Sequence, residues 1–163
     1  MLKELGTYKD RIYSLFSGDD IICQLLLGKN YKTEISDIPA ALKSRLLPHP
    51  FTETSSAEPG SYIFFETSVT KTNTAVKTIK ILIQPVCHKD SLLYTPAPEG
   101  YSGLKYDMMA QAAEALLCPS NKTLSRERIK QFGIGRPELQ AVDSLVTGSF
   151  IGRSMTFTVP DFR

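Results

Sequence analysis

His88, Lys89 and Asp90 stand in a row within "PVCHKDSLLY", residues 85–94. Histidine, lysine and aspartate are residue types that bind phosphate and transfer protons. Phosphodiester chemistry of the phospholipase D kind needs the imidazole and the ammonium to point into one phosphate site. It leaves a gap between histidine and lysine and a longer one before the aspartate. Contiguous residues on an extended strand alternate between faces, so these three side chains are expected to diverge. The other histidine, His49, lies in "PHPF" and supplies no second copy of the motif. The stretch therefore reads as the end of a strand. Pro85 is expected to stop regular pairing, and His88 to serve as a surface hydrogen-bonding group.

Other chemistry has less to stand on. A metal-dependent nuclease wants clustered acids and a lysine beside a sheet; Glu66, Lys80 and Asp107 offer such a trio, as many hairpins do. A serine nucleophile in a strained elbow would need GxSxG, which the chain lacks. "FGIGRPE" has two glycines at alternate positions but no full dinucleotide fingerprint. Cys23, Cys87 and Cys118 are widely spaced and odd in number, which argues for isolated thiols rather than a disulfide framework or metal pair. The expectation is a protein with no catalytic residues, cofactor or metal. "SRERIKQFGIGR" carries Arg126, Arg128 and Arg136, a basic run that could meet a partner's acids.

The elements that would position these residues follow from periodicity. Residues 2–16 carry a helical stripe of Leu5, Ile12, Leu15 and Phe16, joined by Tyr8 and Tyr13. Asp19 or Asp20 can cap a second, apolar helix, "IICQLLLG", closed by Gly28. "ISDIPAALKSRLL" reads as one helix, with Asp37 at its cap and Pro39 in its first turn. Residues 48–60 read as a long loop with three prolines. "SYIFFETSVT" and "KTIKILIQPVC" alternate and form a hairpin. Ile63, Phe65 and Val69 share one face, as do Ile79, Ile81 and Ile83. "GLKYDMMAQAAEALL" is the covering helix, with Leu104, Met108, Ala112 and Ala115 on its stripe. "LQAVDSLV" and "FIGRSMTFTV" form a second hairpin around "TGS". The sum is an α+β fold in a single domain, 1–163, with an antiparallel or mixed four-stranded sheet and helices packed on one face.

Composition agrees with a packed domain: 42% of residues are hydrophobic and 22% charged, enough apolar content for a core. A net charge of +2 is too mild to imply nucleic-acid binding. No apolar run approaches the roughly 20 residues of a membrane span, and a cytoplasmic setting is expected.

Taken in order, "LLLGK", "YIFFETSV", "CHKD", "YDMMAQAAEALL", "FGIGRPELQAV" and "FIGRSMTFTVPDF" resemble small neck and tail-completion proteins of tailed phages and prophages. The likeness is to tail-terminator proteins above all and covers roughly residues 5–162. It implies a sheet with flanking helices and a hexameric ring on the head-proximal end of the tail tube. It implies contacts with tail-tube protein and the head–tail connector or stopper, with tail sheath as a further partner. DNA would pass only through the lumen, without sequence specificity. The setting implied is the virion, assembled in the bacterial cytoplasm. Loop aromatics Phe51, Tyr94, Tyr101 and Phe150, with Arg126, Arg128 and Arg136, are the candidate interface residues. A head-completion or stopper protein is the alternative, and a metal-dependent nuclease the third reading.

Overall fold

The computed structural model describes residues 2–52, 58–72, 76–118 and 136–162. The helices are α1 (Leu2–Ser17), α2 (Asp20–Leu27), the single turn α3 (Tyr31–Glu34), α4 (Ile38–Lys43) and α5 (Lys105–Leu117). The strands are β1 (Leu46–Leu47), β2 (Ser61–Thr72), β3 (Val76–His88), β4 (Glu138–Thr147) and β5 (Phe150–Phe162). They form one mixed sheet in the order β1-β2-β3-β5-β4.

The helix ends are set by local chemistry. Asp19 accepts a hydrogen bond from Ile22 N at 3.0 Å and starts α2; Gly28, at φ +109°, ends it. Asp37 accepts from Ala40 N at 3.2 Å with Pro39 in the first turn of α4. Asp107 accepts from Leu104 N at 3.2 Å at the start of α5.

One face of the sheet carries the main core. Ile63 and Phe65 of β2, Ile79, Ile81 and Ile83 of β3, and Met155, Phe157 and Val159 of β5 are buried there. They pack against Tyr8, Ile12 and Phe16 of α1, the apolar side of α2, and Met108, Met109, Ala112, Ala113 and Leu117 of α5. The alternation expected for both strands of the first hairpin is the one observed. Ala115, expected on the buried stripe, is exposed. The stripe of α5 is wider and turned toward Met109, Ala113 and Leu117, because the helix crosses both β3 and β5.

The sheet has five strands rather than four. Leu46 and Leu47, expected at the end of a helix, form β1 and pair in parallel with Ile63 and Phe64. The Arg45 carbonyl accepts from Ile63 N at 2.9 Å, and Leu46 is fully buried. Burial of Leu46 at the sheet edge outweighs the helical preference of this short segment.

Pro85 does not stop β3. It pairs with Ile63 of β2, and β3 runs on to His88. The ladder to β5 skips Gln84 and Pro85, then resumes in the same register at Val86 and Gly152. A proline in a central strand removes one donor, and here the loss stays local because Gly152 lets β5 close up beside it. Gly148, at φ +50°, turns the chain between β4 and β5.

Candidate functional site

The opposite face of the sheet carries apolar side chains as well. Tyr62 and Phe64 of β2, Val86 of β3 and Phe150 of β5 form a second buried cluster there. Leu47, Phe51 and Leu145 pack around it. Phe51 meets the Phe64 ring edge-on at 5.1 Å and Phe150 at 5.8 Å; Tyr62 meets Phe150 at 5.9 Å. The two histidines flank the cluster, His49 on Phe64 at 5.3 Å and His88 on Phe150 at 5.5 Å. Edge-on packing sets the positive ring rim against a negative ring face and adds to the area term.

Above this cluster opens a cavity of about 510 Å³, lined by Arg45, His49, Phe51, Glu58, Tyr62 and Phe150 among others. That volume lies within the range of about 300–1,000 Å³ usual for ligand pockets. Among the described lining residues, Arg45 is the one cationic side chain of fixed charge. The guanidinium lies 4.7 Å over the Tyr62 ring, and the Glu58 carboxylate is 3.9 Å away and mostly exposed. Nη1 of Arg45 is buried with no hydrogen-bond partner among the described residues. It lies in space left by Gly60, where a Cβ would come within 1.9 Å of it and displace the guanidinium. A buried guanidinium donor without an acceptor is costly, and its place beside an aromatic pocket suits an anionic group attached to an apolar one.

The row His88, Lys89 and Asp90 behaves differently from a strand. β3 ends at His88, and Lys89–Ser91 form a 3-10 turn. Nδ1 of His88 accepts from Asp90 N at 3.2 Å, and the Asp90 carboxylate folds back to 3.5 Å from the same nitrogen. His88 and Asp90 therefore converge, contrary to the alternation expected of a strand, because the turn reverses the chain. The imidazole acts as a cap on that turn. Lys89 and Asp90 are exposed.

The trio Glu66, Lys80 and Asp107 is split. Asp107 lies on the helix-covered side and holds Arg153 at 3.1 Å. Lys80 lies on β3 between Ile79 and Ile81 and so faces the other side. Glu66 accepts from Thr67 N at 2.8 Å and pairs with Lys9 at 2.6 Å around the β2 edge.

Of the residues singled out in the sequence, Phe51 and Phe150 come together in the aromatic pocket. Phe51 is half-buried and its N–H donates to Gln84 Oε1 at 2.8 Å, so the start of the 48–60 loop is tied to the sheet. Tyr94 and Tyr101 sit across the molecule, half-buried against the main core, with Tyr94 Oη donating to Gln24 at 3.3 Å. Burial raises both phenol pKa values. Arg136 lines a shallow hollow with Glu114, Cys118 and Glu138. Arg126 and Arg128 lie outside the described residues, as do residues 53–57 of the loop and most of the basic run. Sequence reasoning missed Arg45, His49, Tyr62 and Phe64. The available signal was two aromatics, Tyr62 and Phe64, on the outward face of β2.

A family model, YomW, matches residues 19–159. The chain belongs to the YomW family. The YomW family is of phage and prophage type, so this is a phage-related protein. The match begins at the Asp19 cap of α2 and ends in β5, taking in all five strands, α5 and the whole aromatic pocket. A comparison with curated proteins finds no match.

Proposed function

We propose that this YomW-family chain is a structural subunit of a phage-like neck, a tail terminator that works as a hexameric ring. The ring caps the tail tube and joins it to the head connector or stopper, with sheath as a further neighbour in a contractile tail. The subunit carries out no chemical step and takes no cofactor, and DNA meets it only in the ring lumen. The observation that carries the reading is the phage-type family match, which takes in every strand of the sheet. Two features support it. The order of elements agrees with what the resemblance to terminators implies, a sheet with flanking helices. Among the described residues the helices pack on one face of the sheet, and the other presents an aromatic pocket that a neighbour could fill. Buried aromatics beside an arginine are the residue types that dominate protein interfaces.

Mass measurement of the purified protein, alone and with tail-tube protein, tests this. The expected result is a six-subunit species that binds tube ends, seen as a ring at the head-proximal end by electron microscopy. A protein that never associates with tubes, and is missing from purified tails, would overturn it.

A further inference from the structure

The two edges of the sheet are finished differently. On the β2 side, β1 covers Ile63 and Phe64, and the Glu66 carboxylate accepts the Thr67 N–H. On the β4 side a bulge between Leu139 and Ala141 interrupts the start of the strand, and beyond it, among the described residues, nothing pairs with the outer edge. β4 is ten residues long, contains neither lysine nor proline, and leaves Val142 and Val146 49% and 68% exposed. Long, bare, apolar edges are sites where another strand adds.

The residues of β4 say which strand. Thr147 and Phe150 close a two-residue loop, so they exchange hydrogen bonds, and the alternation of an antiparallel ladder then assigns each residue from Val142 to Thr147, short of the bulge at Leu139/Ala141. Leu145 and Asp143 bond inward to β5, while Val142, Ser144 and Val146 direct their N–H and C=O groups outward. These three side chains also share one face, where Ser144 Oγ accepts from Arg153 Nη1 at 3.2 Å. An antiparallel pairing of two β4 strands centred on Ser144 sets each Val142 opposite the other copy's Val146. It also sets each Asp143 opposite a leucine. Centring on Asp143 would oppose two carboxylates, which destabilises a strand pair.

We infer that β4 pairs with β4 of a second copy of this chain, antiparallel about a two-fold axis at Ser144. The contact is isologous, so it differs from the head-to-tail contact that closes a ring and does not rest on the neck reading. It joins two subunits, or two rings, back to back.

The test is a Ser144→Cys variant in a Cys118→Ser background, oxidised mildly and run on a non-reducing gel, beside sedimentation of the parent protein. Directly opposed residues lie about 5.5 Å apart at Cα in a hydrogen-bonded pair, within disulfide reach. The expected results are a covalent dimer of chains from Ser144→Cys and a concentration-dependent doubling of mass for the parent, whether it starts as a single chain or as a ring. Both should be lost in Val142→Lys/Val146→Lys, whose circular dichroism stays that of the parent because both sites are exposed. No cross-link from Ser144→Cys, or a cross-link that persists in the presence of the two lysines, overturns the proposal. A hexamer that survives the two lysines while the cross-link is lost supports it and leaves the ring to other surfaces.

Discussion

The carbonyl oxygen of Pro85 occupies the space where a side chain on Gly152 would begin: a Cβ there would lie 2.0 Å from it and 2.8 Å from Val86 Cα. Both obstacles are backbone, so neither can rotate away. Gly152→Ala is expected to destabilise the fold by about 1–3 kcal/mol or more, the usual range for overpacking. Urea unfolding would measure it. An unchanged midpoint would mean that β3 and β5 do not approach this closely.

The same pair shows what the sequence could and could not convey. Helix caps at Asp19 and Asp37, the stripe of α1 and the alternation of β2 and β3 were legible because each is written within a few residues. Pro85 reads locally as a strand breaker. Its accommodation depends on a glycine 67 positions later, which strand order alone brings alongside. β1 was missed for a similar reason, since Leu46 and Leu47 are a strand only by virtue of Ile63 and Phe64. At the candidate site, Phe51 and Phe150 were picked out separately as loop aromatics. Their meeting across β2 and β3, with Arg45 and His49 brought in by β1, is a consequence of tertiary order.

Ile81 is fully buried at the centre of the sheet beneath α5. Truncation to alanine removes apolar contacts and leaves a cavity, at an expected cost of about 2–5 kcal/mol. Ala115→Ser on the exposed side of α5 should change stability by less than about 0.5 kcal/mol. Similar losses for the two variants would place the core on the wrong face of the helix.

Asp20 accepts hydrogen bonds from Tyr31 Oη at 2.7 Å and Gln24 Nε2 at 2.7 Å, and pairs with Lys32 at 3.1 Å. The Tyr31 bond, then the lysine, hold its carboxyl pKa below the ordinary value. A carboxyl with a lowered folded pKa contributes stability above its unfolded value, about 3.9, and loses it as pH falls through the folded one. Asp20→Asn should therefore flatten the stability profile below about pH 4. Unfolding curves of the two proteins across that range decide it, and parallel profiles would remove Asp20 from the acid response.

Cys87 is completely buried, and burial pushes its thiol up to about 11. Cys23 is also buried and raised by burial, whereas Cys118 is only partly covered. In native protein at mildly alkaline pH, a thiol reagent should label Cys118 first, with Cys23 and Cys87 reacting only on unfolding. Mass spectrometry of a labelling time course reads the order. Native labelling of Cys87 at the rate of Cys118 would contradict this packing.

Arg45 separates stability from use. Its Nη1 is a buried donor without an acceptor among the described residues, a defect of about 1–3 kcal/mol. Its stacking on Tyr62 returns about 0.5–2 kcal/mol. Arg45→Met keeps the length and apolar body of the side chain while removing both effects. The expected change in folding stability therefore lies between about 1 kcal/mol lost and about 2.5 kcal/mol gained. Phe64→Ala, which hollows the cluster under the pocket, should cost about 3–5 kcal/mol. If the pocket takes an anionic segment of a neighbouring subunit, Arg45→Met should lower the yield of assembled particles at unchanged stability. Phe51→Ala cannot make this distinction, because Phe51 already packs on Phe64 and Phe150 within the subunit. Stability comes from denaturant titration and yield from particle counts on complementation. Full yield from a stable Arg45→Met protein would show that assembly does not use the pocket's arginine.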